Sequence, residues 1–332
     1  MKVALMGLGN VGRNLLRILD EEENRISQAC GSAIEIISAS DSSGNALFRQ
    51  PIRPKDLLNA KVKGSFPTGF TEGSIDDVLE MKPDAIIDMS PATKDGNREL
   101  GIYLKAIKHG SHIITANKSP LALHWKEIMD EARLNDISIL HEATVAGGVP
   151  IFNFVKFSCG PSSIITFHGI VSLTANYVLN LMTKGIDFKY AVKKAQEMGI
   201  AEADYTDDTS GLDAARKSVI LANALYNRNY TLKDIKYSGI EQLSPDDIME
   251  HGKKMRLVTD LKMVNGKFEL FSGFRTLQDE DFCLTIGETS LGYELVTNNS
   301  GTLRLYSTHD GPRETASAVV NDIMILARSI QR

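Results

Sequence analysis

Between residues 201 and 218 the chain reads AEADYTDDTSGLDAARKS, gathering five carboxylates (Glu202, Asp204, Asp207, Asp208 and Asp213) just ahead of Arg216 and Lys217. Acidic loops before helices are common solvated caps. Here, however, Gly211 precedes a helical apolar pattern of Leu212, Ala215, Val219, Ile220, Ala222, Ala224 and Leu225, which predicts a partly buried helix. Asp213 and Lys217 stand four apart and so share one face of it. Neighbouring carboxylates favour the charged form of a lysine. An ammonium so held can polarise a carbonyl and pass a proton to its oxygen.

A second chemical group lies at the N-terminus. KVALMGLGNVGRNLLRIL carries a short apolar run, then glycines at 7, 9 and 12, then a helical pattern. Gly7 permits a tight turn, Gly9 lets backbone approach a pyrophosphate, and Gly12 allows close helix–strand contact. Asn10 and Val11 open the helix, whose N–H groups and positive dipole end suit a phosphate. The placement between strand and helix points to a dinucleotide. Asp41, after the strand IEIISAS, stands where an acid bonds the adenosine ribose; a plain turn residue in SDSSG is the alternative. Asp41 disfavours a 2′-phosphate and Ser42 stands where an arginine would favour one, whereas Arg49, Arg53 and Lys55 can reach over it. Both NADP and NAD are therefore expected to work.

The elements that position these groups alternate in type. Strands are predicted at 84–90, 111–118 and in ISILHEA, with helices over about 95–109 and 120–135. Such alternation implies an α/β fold of Rossmann type, a parallel sheet with helices on both faces. Ligands then sit beyond the carboxyl ends of the strands, which singles out Ser90, Pro91, Thr93, Asn117, Lys118 and Glu142. After HEATVAGGVPIF the pattern turns α+β. Strand-like pieces (SIITFHGIVSL, GKFELFSGF, FCLTIGE and LRLYSTH) flank helices near 174–182, 187–198 and 213–227. The expected division is 1–143 as the dinucleotide domain, completed by a C-terminal helix at about 310–332, and 144–309 as the substrate-binding and dimerisation domain.

At 332 residues, 42% hydrophobic and 24% charged, the chain has the composition of a soluble two-domain protein. A formal net charge of -5 gives no reason to expect nucleic acid or an anionic membrane. No apolar run approaches the roughly 20 residues of a membrane span. Cys30, Cys159 and Cys283 are scattered, which fits a reducing, cytoplasmic setting. The histidines show no HxH or HExxH spacing.

Taken in order, GLGNVG, TANK, HEATVAGGVPIF, GIVSLTANYVLN and MGIAEADYTDDTSGLDAARKS make the chain similar to homoserine dehydrogenase over nearly its whole length. The resemblance implies NAD(P)-dependent interconversion of L-homoserine and L-aspartate 4-semialdehyde by a homodimer. It implies that Lys217 is catalytic, that Asp208 and Asp213 are active-site aspartates, and that Glu202 binds the substrate ammonium. Lys118 would lie beside nicotinamide and substrate, and Thr174 in the substrate-lining turn. Glu142 with the carbonyls of Val145, Gly147 and Val149 resembles a sodium-binding hinge. The sequence departs from the family pattern at Leu173, where glycine is usual, and in the shortened HDGPRETAS before the last helix. The C-terminal regulatory domain of longer relatives is not expected, and with it threonine inhibition. Two other readings stand beside this one: a phosphorylating semialdehyde dehydrogenase using Cys159 as nucleophile, and a non-catalytic nicotinamide sensor.

Overall fold

The computed structural model describes residues 1–66, 70–201, 204–264 and 267–330. The chain forms two compact units, Met1–Gly147 with Pro312–Arg332, and Gly148–Gly311.

In the first unit β1 (Lys2–Met6) leads to α1 (Asn10–Glu21), α2 (Glu23–Cys30) and β2 (Glu35–Asp41). Next come β3 (Gly44–Ile52), α3 (Pro54–Val62), β4 (Phe70–Glu72), α4 (Ile75–Glu80) and β5 (Ala85–Asp88). The series closes with α5 (Asn97–Lys108), β6 (His112–Thr115), α6 (Lys118–Leu134) and β7 (Ile139–Leu140). Seven strands run in the order β4-β3-β2-β1-β5-β6-β7. Five are parallel, namely β2, β1, β5, β6 and β7. The other two, β3 and β4, pair antiparallel and extend the edge beyond the expected parallel sheet. The cause is local: Asp41 pairs with Gly44, so only Ser42 and Ser43 turn the chain. A two-residue loop returns a strand beside its predecessor instead of crossing over. Lys118 also differs from the strand-end position expected, since it is the first residue of α6.

The second unit holds α7 (Phe152–Ser158), β8 (Ile164–Ile170), α8 (Leu173–Thr183), α9 (Phe188–Glu197), α10 (Thr206–Thr209) and α11 (Leu212–Tyr226). It continues with β9 (Lys236–Tyr237), α12 (Pro245–His251), β10 (Met255–Val264), β11 (Lys267–Thr276), β12 (Leu291–Thr297) and β13 (Thr302–Ser307). Its six-stranded sheet has the order β13-β12-β8-β10-β11-β9. The expected strand FCLTIGE is instead a 3₁₀ turn, Phe282–Thr285. Asp281 accepts the backbone N–H of Cys283, and Phe282 and Cys283 are both buried, so the apolar pair is spent on one turn.

Finally α13 (Pro312–Ile330) returns the chain to the first unit. Val319, Ile323, Leu326 and Ala327 are buried in one core with Leu15, Leu16 and Leu19 of α1 and Val3, Ile36 and Ile87 of the sheet. Fully burying each large aliphatic side chain stabilises by about 1.5–3 kcal/mol. Arg313 to Glu21 and Arg328 to the carbonyl of Ala29 fasten the helix at both ends.

Candidate active site

In the second unit the helix predicted around Lys217 is α11. Gly211 caps it with φ +83, and a Cβ there would lie 2.6 Å from the carbonyl oxygen of Ser238, so only glycine fits. Ser218 Oγ meets Thr259 Oγ1 at 2.8 Å, and Thr259 in turn bonds Ser272, which anchors α11 on β10 and β11. Lys217 Nζ lies 3.0 Å from Asp213 Oδ2 and donates to the carbonyl of Val171 at 2.9 Å. Only 12% of the Lys217 side chain and 10% of the Asp213 side chain are exposed, so solvent screens the pair weakly.

The Val171 carbonyl leads directly into α8, capped by Ser172, and Thr174 lies in its first turn. Thr174 donates its hydroxyl to the carbonyl of Ile200 at 3.0 Å. The structure thus brings Lys217, Asp213, the 171–174 turn and the segment ending at Ala201 together. Glu202 lies outside the described residues. Asp208 sits half-buried on α10, and its neighbour Asp207 pairs with the buried guanidinium of Arg216. Leu173 is the first residue of α8, where its backbone is helical and makes no demand for glycine.

Two positioning residues went unread in the sequence. Arg216 holds α10 to α11 through Asp207. Asn176 donates to the carbonyl of Leu257 at 2.8 Å and accepts its N–H at 3.0 Å, fixing α8 to β10. An amide inside the otherwise apolar LTANYVLNLM was the available signal.

In the first unit the three glycines of the turn behave differently. Gly7 has φ +88, and a Cβ there would lie 2.5 Å from the carbonyl of Met89. At Gly12 a Cβ would lie 2.3 Å from the oxygen of Gly7. At Gly9 it would meet nothing within 4 Å. The turn is therefore closed on the protein side and open at the exposed start of α1, where Asn10 and Val11 follow. That is the shape a pyrophosphate requires.

Ser90, Pro91, Thr93, Asn117 and Lys118 all belong to this unit, beyond the ends of β5 and β6. Asn117 donates to Ser90 Oγ at 3.2 Å and to the carbonyl of Pro91 at 3.4 Å, and accepts from the N–H of Ser119. Thr93 donates to Glu99 at 2.7 Å. Beneath them the fully buried Asp88 accepts from the N–H and hydroxyl of Ser90 and from Tyr103, whose hydroxyl also meets Thr115 at 2.8 Å. Burial pushes the Asp88 carboxyl above its ordinary range, against the bonds from Ser90 and Tyr103. Burial likewise raises the Tyr103 hydroxyl well above its ordinary value, and the charge of Asp88 adds to it. Tyr103→Phe is therefore expected to lower stability by about 1–3 kcal/mol, the cost of leaving a buried acceptor short of a donor. Thermal melting checks this, and an unchanged melt would show that the network contributes no stability.

Asp41 ends β2, and its carboxylate is shared by Lys61 and the N–H of Ser43. Burial opposes ionisation, but the bonds from Lys61 and Ser43 outweigh it and hold the carboxyl below the usual range. Lys61, absent from the sequence reading, thus offsets the charge expected to repel a 2′-phosphate. Arg49 lies on β3, Arg53 caps α3, and Lys55 is in its first turn.

Of the residues named for a cation, Glu142, Val145 and Gly147 belong to the first unit and Val149 to the second. Glu142 is buried in a 3₁₀ turn, and its N–H donates to the buried Asp322 at 3.0 Å. Cys159 is buried at the end of α7, which removes the exposed thiolate a phosphorylating mechanism needs.

A glycine turn shaped for pyrophosphate and a second unit carrying a buried lysine–aspartate pair define the class, a dinucleotide-dependent oxidoreductase. The family model for the homoserine dehydrogenase NAD-binding domain matches residues 7–142, and that for homoserine dehydrogenase matches 150–324. The chain is 30% identical to a homoserine dehydrogenase of Methanocaldococcus jannaschii, over all of both chains. The crystal structure of homoserine dehydrogenase from Thermoplasma acidophilum is 40% identical and superposes with a TM-score of 0.89, covering 99% of each chain. A hyperthermophilic archaeal homoserine dehydrogenase in complex with NADPH is 25% identical with a TM-score of 0.84, covering 99% of this chain and 98% of its own. The chain belongs to the homoserine dehydrogenase family. It is an NAD(P)-dependent oxidoreductase that interconverts L-aspartate 4-semialdehyde and L-homoserine, and neither the cysteine-dependent reading nor the non-catalytic one survives.

Proposed function

We propose that Lys217 is the group that exchanges a proton with the reacting oxygen. The observation that carries this is its fixation by Asp213 at 3.0 Å and Val171 at 2.9 Å, against the turn that bears Thr174. A bound nicotinamide supplies the hydride. In the reducing direction the carbonyl carbon accepts that hydride and the carbonyl electron pair moves to oxygen. Lys217 then gives its proton to that oxygen, leaving a primary alcohol and a neutral amine that solvent reprotonates. Asp213 holds and orients the Lys217 side chain, while Thr174 and Asp208 line the substrate. Lys118 serves beside the nicotinamide. The open side of Gly9 with Asn10, Val11, Ser90, Pro91 and Thr93 holds the cofactor, and Asp41 receives the ribose.

Glu202 is assigned to the substrate ammonium by its place in the sequence. That contact exists in substrate and transition state alike, so Glu202→Ala is expected to raise KM and leave kcat close to wild type. A fall in kcat at unchanged KM would move Glu202 into the chemistry. The primary experiment is reduction of L-aspartate 4-semialdehyde followed at the nicotinamide absorbance with NADH and with NADPH. Because Lys61 offsets Asp41, both cofactors are expected to work, within about a hundredfold or 2.7 kcal/mol of each other. A larger ratio would show that one charge dominates.

The homodimer reading, through the second unit, rests on the resemblance and on exposed Ile165, Tyr237 and Tyr306 on its sheet strands. Glu142 and the carbonyls of Val145, Gly147 and Val149 are offered as a sodium site on donor chemistry, a carboxylate and carbonyl oxygens suiting a hard cation. No helix among the described residues is long and apolar enough to cross a membrane.

A further inference from the structure

One side-chain cluster of the second unit takes no part in the reaction above. On the sheet face that carries the 3₁₀ turn 282–285, His168 of β8 stands opposite Asp260 of β10. Its Nδ1 lies 2.6 Å from Asp260 Oδ1, and Asp260 Oδ2 is in turn held by Arg275 Nε at 2.9 Å. On the other side of the ring, Nε2 lies 3.0 Å from Asp281 Oδ1 and 3.2 Å from Cys283 Sγ. Among the described residues, one ligand atom each from His168, Asp281 and Cys283 can be chosen so that all lie within 4.8 Å of one another.

We infer that His168 Nε2, Asp281 and Cys283 Sγ form a binding site for a borderline-soft divalent cation, zinc foremost, outside the catalytic centre. Three observations carry this. The donor set is an imidazole nitrogen, a carboxylate oxygen and a thiol sulfur, the chemistry zinc selects over calcium or magnesium. Both separations from His168 Nε2 are near the edges of a zinc tetrahedron, for which bond lengths imply about 3.3 Å from nitrogen to oxygen and about 3.6 Å from nitrogen to sulfur. The observed separations are a few tenths of an ångström shorter, so the ligands need only part slightly. Finally, the remote ring nitrogen is bound to a carboxylate that is itself anchored, the arrangement that orients a metal-ligating histidine.

Access and the fourth position follow from burial. Cys283 is wholly buried, whereas His168 and Asp281 expose 20% and 21% of their side chains. A cation can therefore enter from their side and complete its shell with water. Binding ties the 281–283 segment to β8, and it displaces the protons otherwise carried by the imidazole and the thiol.

The test uses the intact protein, freed of metal with a chelator and titrated with Co2+. The expected result is one equivalent bound, with a thiolate-to-cobalt charge-transfer band in the near ultraviolet and intense visible bands of tetrahedral cobalt, both abolished by Zn2+. Cys283→Ser should remove the charge-transfer band, and Asp281→Asn, on the exposed side, should weaken binding at least tenfold. Cobalt spectra without a thiolate band would overturn the assignment, and so would the same band in Cys283→Ser, whose source would then be Cys30 or Cys159. Should Cys283→Ser fold poorly, the Asp281→Asn titration decides alone, and unchanged binding there refutes the site.

Discussion

Replacing Lys217 with alanine should lower turnover by about 10²–10⁴, the range for a positioned acid–base group. Cofactor affinity should stay near wild type, because the glycine turn belongs to the other unit. The variant has a structural cost that must be separated from the chemical one. Asp213 is nearly buried, and removing its cation leaves a carboxylate with one partner fewer in a weakly screened site. Lys217→Ala combined with Asp213→Asn removes that surplus charge. It should therefore melt closer to wild type than Lys217→Ala alone while keeping the whole loss of turnover. If turnover recovers together with stability, the lysine is a structural partner. If well-folded Lys217→Ala turns over normally, proton exchange belongs to another cation, and Lys118 is the first to examine.

How far this site was legible in the sequence depends on the range of the physics involved. The Asp213–Lys217 pair and the three glycines are local: helix periodicity sets the first, and backbone geometry the second. Both were readable from a dozen residues. Residues joined by tertiary contact were not. Lys61 stands twenty positions from Asp41, and nothing in either neighbourhood marks them as partners. The Asp88–Tyr103–Thr115 network likewise joins two strands and a helix. Strand assignment failed where apolar strings are short. FCLTIGE and MRLVTDLKMV both carry apolar residues, yet the first closes into a 3₁₀ turn through Asp281 and only the second is a strand. In the second, every residue from Leu257 to Leu261 is buried, as in a strand covered on both faces. FCLTIGE likewise places Phe282, Leu284 and Ile286 at a spacing of two, so periodicity does not separate the segments, and the Asp281 cap that closes the turn is what differs.

The glycine turn offers the other large effect, because the three positions should fail in different ways. In Gly7→Ala the new methyl group meets the Met89 carbonyl at 2.5 Å on backbone that is left-handed at φ +88. The conformation alone costs roughly 1–2 kcal/mol for a residue with a Cβ, and the atoms met are all backbone of Met89 and Ser90, with no flexible side chain to yield. Gly12→Ala meets the Gly7 oxygen at 2.3 Å and must push α1 away from the turn. Both variants should melt earlier and lose cofactor together. Gly9→Ala is different: its φ of -72 suits any residue, and its methyl group meets nothing within 4 Å. Its stability should stay within about 0.5 kcal/mol of wild type, as for an ordinary surface substitution. The added methyl would instead occupy the side from which a pyrophosphate approaches the N–H groups of α1. NADPH affinity should then fall at least about tenfold, roughly 1.4 kcal/mol. Fluorescence titration of the three variants beside their melting curves separates the cases. Wild-type NADPH binding by Gly9→Ala would mean that the opening at Gly9 is not where the pyrophosphate lies.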